Sequence, residues 1–207
     1  MIAELIRTGR IGKPFFYRME VRNRDGVGDQ PFPNQPYFAG MPRFLLMETL
    51  VHHLDTARYL MGDIEEVYCR TAKLNFVIAS EDLAMISVRH TNGVLGMIDG
   101  NRTTAADDPG EVMGSSRFEG AEATIQLRGG GDVWLGGERV FSGRGLTGYK
   151  GDSCRATQQH FIDCLLSGAE FETEGTSYLN TTVAAVEACY RSAAENRPVS
   201  IEEMTCS

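Results

Sequence analysis

Apolar and polar residues alternate with a period of two along several stretches of this chain and with a helical period along others. Every second residue from Phe15 to Val21 is apolar, which predicts a sheet strand over 15–22 with one drier face. Asn92-Gly93 stands between two strand-like runs and predicts a two-residue hairpin turn. Residues that favour strands predict seven more, at 66–73, 83–91, 94–102, 117–119, 123–128, 133–135 and 139–141.

Helices are predicted at both ends of the chain and once between the first two strands. Their segments are 2–8, about 47–62, 153 to about 166, and about 177–195. Strands that follow one another, rather than alternating with helices, indicate an α+β fold with a mostly antiparallel open sheet and helices packed on one face. The other face must then be polar or pack against another subunit. Apolar residues on both faces of the 83–102 hairpin predict a homo-oligomer formed through the sheet.

The helix that begins near residue 47 carries the most informative pattern. Glu48, His52 and Asp55 are spaced i, i+4 and i+7 and form one polar stripe. Gly62 follows where a helix end favours a residue tolerant of positive φ. The apolar residues fall on the opposite side and are predicted to face a core: Leu50, Leu54, Ala57 and Met61.

Three interpretations of this polar stripe remain open from the residues alone. It is a solvated helix face, which is the default for an arbitrary helix, or a metal site, or a general acid/base. Glu48 and His52 at i and i+4 reach one ion, whereas His53 points about a right angle away from His52 and makes a poor co-ligand. An imidazole between two carboxylates, at Glu48 and Asp55, is suited to proton transfer near neutral pH.

Composition narrows the range of partners. The chain has 207 residues, of which 42% are hydrophobic, with a formal charge of −8 and a pI near 5.1. This charge disfavours nucleic acid and anionic membranes as partners, and no apolar run has the length of a membrane span. Five cysteines without Cys-x-x-Cys spacing, and the lack of a signal-peptide core, predict a cytoplasmic protein with reduced thiols. Cys164 and Cys189 are expected in the core.

Two arginines and one long loop complete the candidates. Residues 23–42 are rich in Gly, Pro, Asn and Asp, and loops of this length are often functional. Arg22 and Arg102 lie near strand ends beside long loops, so they are candidate substrate ligands, although most such arginines are surface residues. The string Gly143-Arg-Gly145-Leu-Thr-Gly148 matches a dinucleotide fingerprint but lacks the strand before it and the helix after it, so we predict a loop.

Four segments together give the chain a family resemblance. They are Ile6–Pro14, the helix motif from Glu48 through His52 and Asp55 to Gly62, Phe118–Leu127, and Phe171–Val199. In this order they resemble the C-terminal domain of the glucose-fructose oxidoreductase / inositol dehydrogenase / rhizopine-catabolism family of NAD(P)-dependent oxidoreductases. The resemblance implies a dihydrodipicolinate-reductase-like C-terminal fold.

The resemblance also implies a domain arrangement. In the family, a Rossmann domain binds NAD or NADP and precedes the domain that this chain resembles. Residues 1–207 are therefore expected to form a single α+β domain for substrate binding and oligomerisation, a fragment without the Rossmann domain and its catalytic lysine. We expect no cofactor to bind to this chain and no activity from it alone. The alternative is a stand-alone binding or oligomerisation module without enzymatic activity.

Residue roles follow from the matched motif. His52 corresponds to the family's acid/base histidine, which takes the proton of a sugar or polyol hydroxyl as hydride leaves the same carbon for the nicotinamide. Glu48 stands where the inositol dehydrogenase branch usually has Asp, and it would position the substrate hydroxyl or polarise His52. Asp55 would orient His52 or bind a hydroxyl. The loop at 23–42 would shape the substrate pocket.

Overall fold

The computed structural model describes residues 1–104, 114–145, 151–171 and 175–205. The strands are β1 Pro14–Arg22, β2 Ile64–Ala72, β3 Leu83–His90, β4 Leu95–Asn101, β5 Ser116–Gly120, β6 Thr124–Arg128, β7 Asp132–Leu135, β8 Glu138–Phe141 and β9 Val199–Ser200. The α-helices are α1 Ile2–Arg7, α2 Val51–Met61, α3 Asp152–Ser167, α4 Gly175–Tyr178, α5 Ala184–Glu195 and α6 Glu202–Thr205. Two π-helical segments, Leu45–Leu50 and Leu179–Val183, lead into α2 and α5.

The nine strands of the described residues belong to one open sheet, in the order β8-β7-β6-β5-β1-β4-β3-β2-β9. Every neighbouring pair is antiparallel except β1 and β4, which run parallel. The predicted α+β class, with a mostly antiparallel sheet, is confirmed. The sequence did not indicate that β1 enters between β4 and β5, because strand order depends on contacts between distant segments.

Helices pack on one face of this sheet. The Leu45–Leu50 segment contacts β3 and β4, and α5 packs on β2. Alternate residues of β1 point toward this layer, so Tyr17, Met19 and Val21 are buried while their neighbours are not. The predicted core face of the central helix is confirmed, since four of its apolar residues are buried: Leu50, Leu54, Ala57 and Met61. Cys164 and Cys189 are buried, as predicted.

His90 fixes the end of α2 to the sheet. Its Nδ1 lies 2.7 Å from the carbonyl oxygen of Gly62, the residue with φ +94° that ends α2, and its Nε2 lies 3.1 Å from the Tyr17 hydroxyl. These partners fit a neutral imidazole that donates from Nδ1 and accepts at Nε2. Burial lowers the pKa of His90, because the charged form loses its hydration. The histidine is therefore a structural group of the core.

The opposite face of the sheet carries both apolar and charged side chains. Met85 and Leu95 are about half exposed there. Ion pairs border them, including one from Arg18 to Asp99 at 3.2 Å. In the part of the chain that the structure describes, no helix is long and apolar enough to cross a membrane.

Candidate active site

The candidate helix begins as a π-helical segment. Leu45–Leu50 is π-helical and continues as α2, so the predicted helix is confirmed but its first turns are wider than assumed. The buried Glu81 binds the start of this segment: its Oε1 accepts from the amides of Phe44 and Leu46, at 3.2 and 3.1 Å, and from the Tyr190 hydroxyl at 2.7 Å. A carboxylate at a helix N-terminus satisfies free amides and opposes the positive end of the helix dipole. π segments inside helices occur frequently at functional sites.

Glu48 presents one unoccupied carboxylate oxygen. Its Oε2 accepts from Arg102 Nη1 at 3.3 Å and from the Thr49 hydroxyl. Its Oε1 has no hydrogen-bond partner among the described residues, and the side chain is 28% exposed. Glu48 thus remains able to accept a hydrogen bond from a ligand hydroxyl.

Arg102 links the long loop to the helix. Its Nε and Nη2 donate to the two carboxylate oxygens of Asp25, at 2.9 and 2.7 Å. The guanidinium carbon lies 5.3 to 5.6 Å from three ring centroids, which we call the phenylalanine cluster: Phe32, Phe38 and Phe44. These distances allow cation–π attraction. The loop at 23–42, which the resemblance predicts to shape the substrate pocket, is therefore attached beside Glu48.

The same contacts bear on the predicted role of Arg102. The residue is 6% exposed. Nη1 donates to the Thr49 hydroxyl at 2.8 Å as well as to Glu48, so four of the five N–H groups of the guanidinium have partners within the protein. Its role as a substrate ligand stays a prediction, and the geometry favours a link between the loop and the helix.

Arg22 does not lie beside Glu48 and Arg102. It extends from the sheet face opposite the helices, where it forms an ion pair with Asp99 and donates to the carbonyl oxygen of Val21 at 2.9 Å. Glu20 lies 3.6 Å away on the same face. Because a strand turns successive side chains to opposite faces, Arg22 and the buried Val21 point apart. The assignment of Arg22 as a substrate ligand stays a prediction that these contacts do not favour.

His52 is exposed on α2. Its imidazole makes no hydrogen bond to any described residue, while its carbonyl oxygen accepts from the Thr56 hydroxyl at 2.8 Å. The adjacent His53 is buried and lies 3.4 Å from the carbonyl oxygen of Thr49. Of the two neighbouring histidines, His52 is the one whose imidazole is accessible to a group from outside the domain.

Asp55 joins α2 to the C-terminal helices. Its Oδ1 accepts from the Thr182 hydroxyl at 2.8 Å and from Arg58 at 3.4 Å. Arg58 Nε in turn donates to the Thr182 oxygen at 3.2 Å. Burial raises the pKa of Tyr178, and the nearby Asp55 carboxylate raises it further. The structure brings Asp55 to these partners and records no hydrogen bond between it and His52, so its predicted action on His52 stays a prediction.

Sequence reasoning missed two residues that build the site, Asp25 and Glu81. Asp25 is one acid in a polar loop, and nothing in its neighbours indicates that it binds Arg102, 77 residues away. Glu81 precedes β3 and resembles any acidic residue of a turn. Among the described residues, no group of three or more His, Cys, Asp or Glu is placed to hold a metal ion.

Comparison with known proteins agrees with this fold. The GFO/IDH/MocA C-terminal domain matches residues 1–118. D-apiose dehydrogenase from Rhizobium rhizogenes is 32% identical over 215 residues, which cover 98% of this chain and 61% of that enzyme. The chain spans about three fifths of the length of the curated relatives that it matches throughout.

Solved structures show the same architecture. An oxidoreductase from Agrobacterium radiobacter, in complex with NAD+, L-tartaric acid and magnesium, has a TM-score of 0.86 and 32% identity over 98% of this chain and 61% of that one. Levoglucosan dehydrogenase in complex with NADH and L-sorbose has a TM-score of 0.79 over 97% of this chain and 61% of that one, at 17% identity, a likeness of fold alone. Since the family match extends over more than half of the sequence, this chain belongs to the GFO/IDH/MocA family, of which it is a C-terminal domain.

Proposed function

We propose that this chain is the substrate-binding, histidine-bearing domain of an NAD(P)-dependent sugar or polyol dehydrogenase. The observation that carries the proposal is the accessible His52 imidazole, which lies one helical turn after the free carboxylate oxygen of Glu48. Both groups lie on a helix that is fixed at its start by Glu81 and at its end by His90. A rigid element is what a proton-transfer group needs to hold its geometry.

Each site residue has its own role in the proposed reaction. A ring nitrogen of neutral His52 accepts the proton of the substrate hydroxyl, as a general base does. Glu48 Oε1 accepts a hydrogen bond from a second hydroxyl and orients the substrate. Asp55, through Thr182 and Arg58, keeps α2 against the C-terminal helices. The bound nicotinamide supplies the hydride acceptor.

We do not assign the dinucleotide to this chain. The described residues contain no strand, glycine-rich loop and helix in succession, which a dinucleotide site of the Rossmann type needs. Gly143 and Gly145 lie in the connection after β8, which ends at Phe141, and residues 146–150, with Gly148, lie outside the described residues. The NAD+ bound to the Agrobacterium relative supports a nicotinamide cofactor for the whole enzyme.

A domain graft tests the proposal. The part of Rhizobium rhizogenes D-apiose dehydrogenase that precedes the matched region is joined ahead of residue 1, and NADH formation is followed with a set of sugars and polyols. We expect activity in the graft and a loss of about 10²–10⁴-fold in kcat after His52→Asn. The control, His160→Asn on α3, retains activity. An active graft that is indifferent to His52→Asn contradicts the proposal.

The chain alone is expected to reduce no NAD+ and to bind no NADH. Calorimetric titration of the purified chain with NADH measures this directly. Saturable binding at micromolar concentration contradicts the assignment of the cofactor to another domain. A graft without activity, together with a chain that binds no sugar or polyol, favours the alternative of a module without enzymatic activity.

We also propose that the chain forms a homo-oligomer through the open face of its sheet. Met85 and Leu95 support this proposal, because half-exposed apolar residues on a sheet face commonly mark a contact between proteins.

A further inference from the structure

We infer that the site beside Glu48 accepts an uncharged polyhydroxyl compound and rejects one that carries a carboxylate. The inference rests on the proposed function and narrows its substrate class. It depends on the state of Arg102, the buried guanidinium next to Glu48, and on the charges that surround the helix.

Arg102 has no two parallel N–H groups left to donate to an anion. A guanidinium recognises a carboxylate best through two parallel N–H groups, and Asp25 already occupies Nε and Nη2. Nη1 is shared by Glu48 and Thr49, and the phenylalanine cluster surrounds the guanidinium. An incoming carboxylate would have to displace Asp25, which would leave an existing carboxylate without its counter-charge.

The other arginines near the helix also form ion pairs within the protein. Arg43, just before the helix, binds Glu187 at 2.8 Å, and Arg58 on α2 binds Asp55 at 3.4 Å. Arg102 itself lies between two carboxylates, so the cluster of Asp25, Glu48 and Arg102 has a net charge of −1. A second carboxylate brought to this cluster meets Coulomb repulsion that no described arginine of the helix is placed to offset.

Glu48 also favours ligands that donate a hydrogen bond to it. A carboxylate oxygen only accepts hydrogen bonds, so Oε1 pairs with a group that donates. Every hydroxyl of a polyol donates, whereas an ionised carboxylate does not. The free oxygen of Glu48 therefore favours a hydroxyl at the position where a sugar acid would place an anion.

Arg24 is the alternative side chain at which an anion would bind in this loop. It is exposed, adjacent in sequence to Asp25, and has no ion pair with any described residue. Its neighbour Asp25 is bound by Arg102. Arg24 therefore enters the experiment as a variant that reports any binding of anions in this loop.

The test compares neutral and anionic polyhydroxyl ligands on the isotope-labelled chain by NMR. Sorbitol and myo-inositol are the neutral probes; glucarate, which is sorbitol with both ends oxidised to carboxylates, and L-tartrate are the anionic ones. At equal ionic strength we expect saturable shifts of the Glu48 and Thr49 amides and of the His52 imidazole with a neutral probe. Glucarate and tartrate are expected to bind at least about tenfold more weakly.

Variants identify the origin of any selectivity. Glu48→Gln removes one negative charge and is expected to reduce the preference for neutral probes about tenfold, while Arg24→Gln leaves it unchanged. Glucarate or tartrate binding at these residues as tightly as a neutral probe overturns the inference. So does anion binding that disappears in Arg24→Gln, and so does the absence of shifts with every probe.

The grafted enzyme separates this inference from the proposed function. A graft that oxidises a hydroxy acid such as glucarate, but no neutral polyol, contradicts the inference and leaves the dehydrogenase assignment intact. An inactive graft, with a chain that binds neutral polyols selectively, contradicts the dehydrogenase assignment and leaves the selectivity intact.

Discussion

Asp25 binds the guanidinium of Arg102 through both carboxylate oxygens, at 2.9 and 2.7 Å, although 77 residues separate the two in the chain. Asp25 belongs to the loop after β1, and Arg102 follows the end of β4. Because Arg102 also reaches Glu48, one guanidinium connects the loop, the end of β4 and the candidate helix. The position of Glu48 therefore depends on a residue that is not on its helix.

Arg102→Gln is expected to destabilise the domain by about 3 kcal/mol, because it leaves the carboxylates of Asp25 and Glu48 without their buried counter-charge. Urea unfolding monitored by circular dichroism measures this. The matched control is Arg18→Gln, since Arg18 is 50% exposed and its ion pair with Asp99 lies on the sheet surface. That change should cost less than about 1 kcal/mol. Equal losses in the two variants would show that the Arg102 contacts contribute no more than a surface pair.

His90 is expected to make stability depend on pH. Its pKa is lowered by burial in the folded state, whereas in the unfolded chain it has the ordinary value near 6.5. Below about pH 6.5 the unfolded chain therefore binds more protons than the folded one, so acid favours unfolding. The free energy of unfolding should fall as pH drops from about 6.5 toward the folded-state pKa, with a slope of at most about 1.4 kcal/mol per pH unit from this group.

Urea unfolding between pH 8 and pH 5 measures that slope. His52→Gln serves as the control and should retain it, because His52 is exposed and has no buried partner among the described residues. His90→Gln lowers the stability at pH 8, where the hydrogen bonds to Tyr17 and Gly62 are lost or weakened, and removes the His90 part of the slope. An unchanged slope in His90→Gln contradicts this account.

Local pattern was sufficient to predict much of the fold. The period of two over 15–22 and the turn at Asn92-Gly93 correspond to β1 and to the β3–β4 hairpin, in which Gly93 has φ +86°. The core face of α2 also followed from residue spacing, because amphipathic periodicity reports which side of an element meets the core. These features depend on residues close together in the chain.

Contacts between distant segments could not be predicted from the local sequence pattern. The parallel pairing of β1 with β4, the binding of Asp25 to Arg102 and the role of Glu81 each join segments more than 30 residues apart. The π-helical start at Leu45–Leu50 was also missed, because its residues are compatible with an ordinary helix. Sequence therefore placed His52 and Glu48 on one helix but not the groups that surround them.

Gly96→Ala is expected to be strongly destabilising. A Cβ at this position would lie 2.0 Å from Cζ of Tyr17, whose buried ring packs against the bare backbone of β4. Either the ring or the strand must move, and the Tyr17–His90 hydrogen bond moves with the ring. We expect a loss of about 3 kcal/mol by thermal or urea unfolding. Gly40→Ala is the control, with no heavy atom within 4 Å of the added Cβ, and a change there of similar size would exclude the packing explanation.

Leu95→Glu is expected to dissociate the proposed oligomer without unfolding the domain. Leu95 is 51% exposed on β4, and its paired neighbours Phe16 and Arg89 lie on the adjacent strands β1 and β3. A carboxylate on this surface would lose its hydration when two copies meet, and two such charges would repel each other across a twofold axis. Because the side chain is already half exposed, the free energy of unfolding of the separate domain should change by less than about 0.5 kcal/mol.

Sedimentation velocity over a range of concentrations measures the result: the unaltered chain should sediment as an oligomer and Leu95→Glu as a monomer. Leu166→Glu provides the control, since Leu166 is 82% exposed on α3, a helix that is not part of the sheet. It introduces the same charge at a more exposed apolar position and should leave the oligomer intact. If Leu166→Glu separates the subunits while Leu95→Glu does not, association occurs through α3 and the proposed sheet interface is wrong.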